Sequence, residues 1–350
     1  MQRPLRRLGL VAVATLLSAC TTPEGGSTYT APDRGIAFQE RLAPEDGAIL
    51  SVVAVRVDKA HEDLEPDARR RWDPERWEEA RASLEGHADL VSYSSDGLRI
   101  GSLLVRPRTR TTRGGGAVIY NRDGIADAGL DEDELLVEME SFARAGYVVA
   151  ASAYRGNRLS QGVDEVGGDD VDDVLALVSL VQGLDGVDPN RVFMVGRGRG
   201  GLMTYRALEM GAPIRAAAVV AGLADVEALA DEDPAWENGF GEGGGWPGFR
   251  EIYGRDWDYG VRDRELERRN PRERSQDTID VPILIVHGRL DEVVPVSQAQ
   301  CVTTRVRGAG VPIENVVYGY GDHSLEAERA DWEPRVLSWI ERHDARSLLN

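Results

Sequence analysis

Residues 195–208 read VGRGRGGLMTYRAL. They follow the apolar run RVFMV at 191–195 and lead into a helix-like run. A strand, a glycine turn and a helix admit two chemistries. Gly196, Gly198 and Gly201 spell G-x-G-x-x-G, the loop whose backbone amides cradle a dinucleotide pyrophosphate. The same letters fit G-x-S-x-G-G, the sharp turn that presents a nucleophilic serine, with Gly198 in the serine's place. The rest of the chain has to separate the two.

Around this stretch, short apolar runs alternate with amphipathic ones. GAVIYN (116–121), GYVVAASAYRG (146–156), RVFMVG (191–196), IRAAAVVAG (214–222), PILIVHG (282–288) and IENVVYGYG (313–321) read as strands. DEDELLVEMESFARAG (131–146) and DDVDDVLALVSLVQGL (169–184) read as helices with acidic N-termini, where the helix dipole favours them. This rhythm predicts an α/β fold, a mostly parallel sheet covered by helices on both faces. HADLVSYSSDGLRIGSLLVRP (87–107) adds an antiparallel hairpin turning at Ser95-Asp96-Gly97 on the N-terminal edge. Residues 225–280 break the rhythm with glycines and Trp236, Trp246 and Trp257, which suits a cap-like excursion over the sheet or an aromatic-anchored surface loop.

Two late stretches bear on the glycine loop. In HGRLDEVVP (287–295), Asp291 follows a strand end, and in GYGDHSLE (319–326), His323 follows another and is expected to start a helix. Turn, then acid, then histidine, each beyond the C-terminal end of a parallel strand, is the order of an α/β-hydrolase. Dinucleotide binding needs an acidic residue roughly 20 positions beyond the loop. Asp225 is not badly placed for that role, yet the loop falls late in the sheet and the two late stretches stay unexplained.

YSSDGLRIGSLLVRP, YNRDG, GYVVAASAYRGNRLSQG, GRGRGG, HGRLDEVVP and YGDHSL together resemble the catalytic domain of the prolyl oligopeptidase family. The resemblance runs from about residue 90 to the end. It implies a serine hydrolase in which Asp291 orients His323, His323 is the general base and Gly198 stands where the nucleophile belongs. Glycine cannot form an acyl-enzyme. The turn forces its central residue into a strained backbone that glycine enters at little steric cost, so the fold is expected to survive the loss. A second departure lies in YNRDG, where such enzymes tend to carry two adjacent glycines and this chain has Asp123-Gly124. A carboxylate there would oppose a developing oxyanion, unless it points to solvent or pairs with Arg122 or Arg199. Arg199, through its backbone N–H, and Arg122 are the oxyanion-hole candidates; Asp123, Tyr154 and Arg155 are the cleft candidates.

The chain's 350 residues carry a net charge of −19, which repels phosphate backbones and argues against nucleic acid as a partner. The start, MQRPLRRLGLVAVATLLSAC, has a positive n-region at Arg3, Arg6 and Arg7 and an apolar run too short to span a bilayer. It ends in Leu17-Ser18-Ala19-Cys20, which resembles a bacterial lipobox and implies lipidation of Cys20. An exported lipoprotein anchored at the cell envelope is expected, on the periplasmic side of the outer membrane. The expected organisation is a signal peptide over 1–19, a tether over 20–35, a charged segment over 36–87 packed outside the core, and the hydrolase domain over 88–345.

Cys301 is then the other cysteine and reads as a small core residue. Two cysteines and five scattered histidines offer no zinc spacing, and the aspartates at 169–173 read as helix caps. No metal and no cofactor are expected. The functional expectation is a hydrolase-fold lipoprotein impaired or inactive in acyl-enzyme chemistry that binds a peptide- or ester-like small ligand or a partner. The alternatives are an active peptidase or esterase in which His323 and Asp291 use water, or Ser152, Ser160 or Thr204 as a relocated nucleophile, and a purely structural envelope domain.

Overall fold

The computed structural model describes residues 45–109, 115–125, 130–226, 259–270 and 279–345. The lipobox, the tether and most of the excursion lie outside them. Nine strands form one sheet in the order β1-β2-β3-β5-β4-β6-β7-β8-β9. They are β1 (Ile49–Val55), β2 (Ala88–Ser95), β3 (Leu98–Val105), β4 (Gly115–Asn121), β5 (Val148–Ser152), β6 (Val187–Arg197), β7 (Ala217–Val220), β8 (Ile283–Gly288) and β9 (Ile313–Tyr318). The first three strands pair antiparallel, as do β3 and β5; from β5 onward every pairing is parallel. The hairpin between β2 and β3 closes through Asp96 and Gly97, both at positive φ, the handedness a two-residue hairpin turn requires.

The helices are α1 (Pro66–Arg71), α2 (Pro74–Leu84), α3 (Glu132–Arg144), α4 (Asp170–Gln182), α5 (Arg199–Glu209), α6 (Tyr259–Arg268), α7 (Val296–Gly308) and α8 (Arg329–Ala345). The central strands are apolar on both faces because both are covered. Val118 and Tyr120 of β4 join one core with residues of α2, α3 and α8. Ala117 and Ile119, pointing the other way, join a second core with residues of α4, α5 and α7.

The charged N-terminal segment differs from expectation. Residues 49–55 add an edge strand outside the hairpin, and Trp72, Trp77 and Leu84 are buried in the α3 and α8 core. The pattern of charges along α1 and α2 masks this, because their apolar residues are few and large. The indole N–H of Trp77 donates to the carbonyl of Lys59 (2.9 Å), and the Lys59 ammonium pairs with Asp131, the N-cap of α3. Of the 225–280 excursion, α6 is described; beyond its end, Arg269 pairs with Glu165.

Candidate active site

Strand β6 ends at Arg197, and Gly198 turns the chain into α5 with φ 50° and ψ −119°. This is the strained conformation expected of the turn, which glycine adopts without a Cβ penalty. The turn is held on three sides. Gly198 N–H donates to Val220 O (3.1 Å), and Gly198 O accepts from Gly201 N–H (2.9 Å) and Leu223 N–H (2.9 Å). Gly200 packs so closely on the end of β4 that a Cβ there would overlap the Asn121 carbonyl.

Asp291 follows β8 with a fully buried side chain. Its Oδ1 accepts from the N–H groups of Val293 (2.9 Å) and Val294 (2.7 Å). Its Oδ2 faces His323 Nδ1 at 2.9 Å and His287 Nε2 at 3.3 Å. Burial pushes the Asp291 carboxyl up, but the hydrogen bonds from His287, His323 and the backbone outweigh it and hold it well below the usual carboxylate range. His323 sits in the loop between β9 and α8, not at a helix start. The Arg197 guanidinium fixes that loop through the Ser324 carbonyl (2.8 Å).

The acid and histidine therefore meet at the turn, and the group facing them is Asp123. A Cβ on Gly198 would overlap the Asp123 carboxylate, so that carboxylate fills the space a nucleophilic side chain would occupy. Its Oδ1 accepts from the backbone N–H of Arg199 (2.8 Å) and of Gly124 (2.8 Å). Its Oδ2 lies 3.3 Å from His323 Nε2. Burial would raise this carboxyl, but His323 and the two amides bring it well below the ordinary range. The side chain is 43% exposed.

His323 is caught between two carboxylates. Burial pulls its pKa down, yet Asp123 and Asp291 together raise it to about 9. At neutral pH the site thus holds an imidazolium and two carboxylates, all paired. The imidazolium can give a proton but cannot take one. The two amides that would hold a substrate oxyanion are already occupied by Asp123.

The remaining candidates fall elsewhere. The Arg199 guanidinium is buried and pairs with Asp164 and Asp170. Arg122 is buried, its guanidinium over the Tyr154 ring and bonded to the Ala153 carbonyl (2.7 Å). Tyr154 is fully buried, and its hydroxyl donates to the Arg122 carbonyl (3.2 Å). Arg155 is buried against Asp173 (2.9 Å). These four side chains brace the loops through buried contacts; Asp170 and Asp173 act as ion-pair partners more than as helix caps. Ser152 Oγ contacts Tyr93 Oη (2.9 Å), Thr204 Oγ1 donates to Gly200 O (2.7 Å), and Ser160 Oγ accepts from Gly101 N–H (3.0 Å). None of the three faces His323. The dinucleotide reading fares no better, because the first amide of α5 is bonded to Asp123, and Asp225 accepts from Asn270 (3.1 Å).

Sequence reasoning gave no role to two contributors, the Gly124 amide and His287. His287 could have been found in HGRLD, at the end of the strand whose following turn carries the acid. Among the described residues no group of His, Cys, Asp and Glu is arranged to hold a metal ion.

The comparisons with known proteins agree with this fold. The chain is 26% identical over 235 residues to an uncharacterized peptidase, YtmA, of Bacillus subtilis, covering 67% of this chain and 84% of that protein. Acylaminoacyl peptidase of Pyrococcus horikoshii superposes with a TM-score of 0.56 at 16% identity, over 73% of this chain and 41% of that one. Acetyl xylan esterase 1 of Thermoanaerobacterium superposes with a TM-score of 0.55 at 17% identity, over 76% of this chain and 92% of that one. The prolyl oligopeptidase family profile matches residues 134–346, more than half of the chain: the chain belongs to the prolyl oligopeptidase family.

Proposed function

We propose that this family member does not perform acyl-serine chemistry and that its cleft binds small peptide- or ester-like ligands without cleaving them through a serine. One observation carries the reading: the Asp123 carboxylate occupies the side-chain space above Gly198 and takes the amides of Arg199 and Gly124. A serine hydrolase needs three things there: a hydroxyl, a neutral histidine and free oxyanion donors. Glycine removes the first, the paired carboxylates remove the second, and Asp123 fills the third. We further propose, from MQRPLRRLGLVAVATLLSAC alone, that the chain is exported and lipid-anchored at Cys20 on the periplasmic side of the outer membrane.

The test is hydrolysis of chromogenic acetate esters and short peptide anilides, together with labelling by a fluorophosphonate probe. The expected result is no labelling and no turnover above buffer. Labelling that disappears in His323→Ala would sink the reading. For the anchor, Cys20→Ala should move the protein from the membrane fraction to the soluble one.

A further inference from the structure

The same arrangement has a chemistry of its own. Asp123 is an accessible carboxylate at the nucleophile's position, facing a proton donor, and backed by two amides aimed at its own Oδ1. We propose that Asp123 is a nucleophile toward saturated carbon, and that the substrate class is epoxides, opened through an ester on Asp123 and hydrolysed to diols. The inference rests on the absence of serine attack and gives the cleft an activity of another class.

The choice of electrophile follows from which groups are free. Attack on an ester or amide carbonyl creates an oxyanion on the substrate, and both amides that would hold it are bonded to Asp123. Attack on a saturated carbon creates no such oxyanion. It does need a leaving group, and the nearest acid is the Nε2–H of His323, protonated because Asp123 and Asp291 face it from the β4 and β8 loops. An oxygen leaving group that must be protonated as it departs suits that acid. In an epoxide, ring strain supplies the driving force and the leaving oxygen stays attached to the substrate.

The steps balance. Asp123 Oδ2 bonds to an epoxide carbon as that carbon's bond to the ring oxygen breaks, and the alkoxide takes the Nε2 proton of His323. Asp123 is now a neutral ester. His323 is also neutral, having lost one of its two carboxylate partners, so it has become a base oriented by Asp291. It takes a proton from water as the water oxygen bonds to Asp123 Cγ. The negative charge moves to Oδ1, where the Arg199 and Gly124 amides already point. The bond from Cγ to Oδ2 then breaks, the departing alkoxide takes the remaining water proton, and the diol leaves. The Asp123 carboxylate and the His323 imidazolium are restored.

One oxygen of the water thus ends on Asp123, and the original Oδ2 leaves with the product. The decisive measurement is a single turnover of the full chain with styrene oxide, phenyl glycidyl ether and cyclohexene oxide in 18O-water. Peptide mass spectrometry should find 18O in the Asp123 carboxylate and none in the first-turnover diol. With His323→Gln, ring opening slows and stops at the ester, so a covalent adduct on Asp123 accumulates. Asp123→Asn should lower diol formation by about 100-fold or more. If no epoxide of the three gives a diol or an adduct on Asp123, the proposal is overturned; 18O in the diol without label on Asp123 overturns it equally, since water then attacks directly. The isotope readout uses the unaltered chain, so a variant that fails to fold does not blur it. Fluorophosphonate labelling would instead mark the failure of the preceding reading.

Discussion

His323 Nε2 stands 3.3 Å from Asp123 Oδ2 while its Nδ1 stands 2.9 Å from Asp291 Oδ2, so one imidazole serves two carboxylates. Its pKa rises from 6.5 to about 9. A histidine whose folded pKa is raised contributes stability that is fully present below the unfolded value and lost as pH climbs through the folded one. The melting temperature should therefore fall between about pH 6.5 and 9, and Asp123→Asn should flatten that decline. NMR titration of the ring checks it directly: a midpoint near the ordinary histidine value would show that the two carboxylates do not act together.

The overlap between Gly198 and Asp123 makes a double variant necessary for regaining serine chemistry. Gly198→Ser alone should stay inactive and lose stability, because the new Cβ meets the carboxylate. Gly198→Ser with Asp123→Gly frees the amides, leaves His323 with one carboxylate and should hydrolyse p-nitrophenyl acetate about 100-fold or more above either single variant. Equal rates for the double and single variants would mean that the cleft lacks more than its nucleophile.

Arg199 carries its guanidinium fully inside the protein on Asp164 and Asp170. Taking one partner from a buried pair strands a charge at a cost of about 3–5 kcal/mol. Asp164→Ala should show a loss of that order in urea unfolding, whereas Asp331→Ala, an exposed pair with Arg335, should leave the unfolding midpoint almost unchanged. Similar costs for both would place the Arg199 cluster in a wetter setting than its burial indicates.

Trp77 is fully buried between α2 and the α3 and α8 core. Trp77→Ala should cost about 3–5 kcal/mol, the range for emptying a large aromatic site. Deleting residues 1–87 should prevent cooperative unfolding, because β1 and the Trp72–Trp77 contact go with them. A well-folded truncated chain would show that the segment is an accessory.

The parallel strands were legible because each is a short apolar run between amphipathic helices, and the acid and histidine because each follows such a run. The edge strand ILSVVAV was not, since an edge strand lacks the two-sided burial that writes a continuous apolar pattern. The place of Asp123 was hidden for another reason. YNRDG marks a carboxylate near the oxyanion site, but which way its side chain turns depends on Gly198 and His323, 75 and 200 residues away. Arg155 likewise looks like a cleft residue until Asp173 claims it.

The crowding at the turn also imposes an order on mutational history. Glycine and serine codons can differ by one base, and so can those of glycine and aspartate. With Asp123 in place, a serine at position 198 meets that carboxylate and must displace it, so the less crowded path to a serine enzyme runs first through a small residue at 123 and only then through 198. Read in the opposite direction, the serine leaves before the aspartate arrives. Two single-base steps that look interchangeable on paper thus differ with the order in which they are taken, a preference set by one carboxylate.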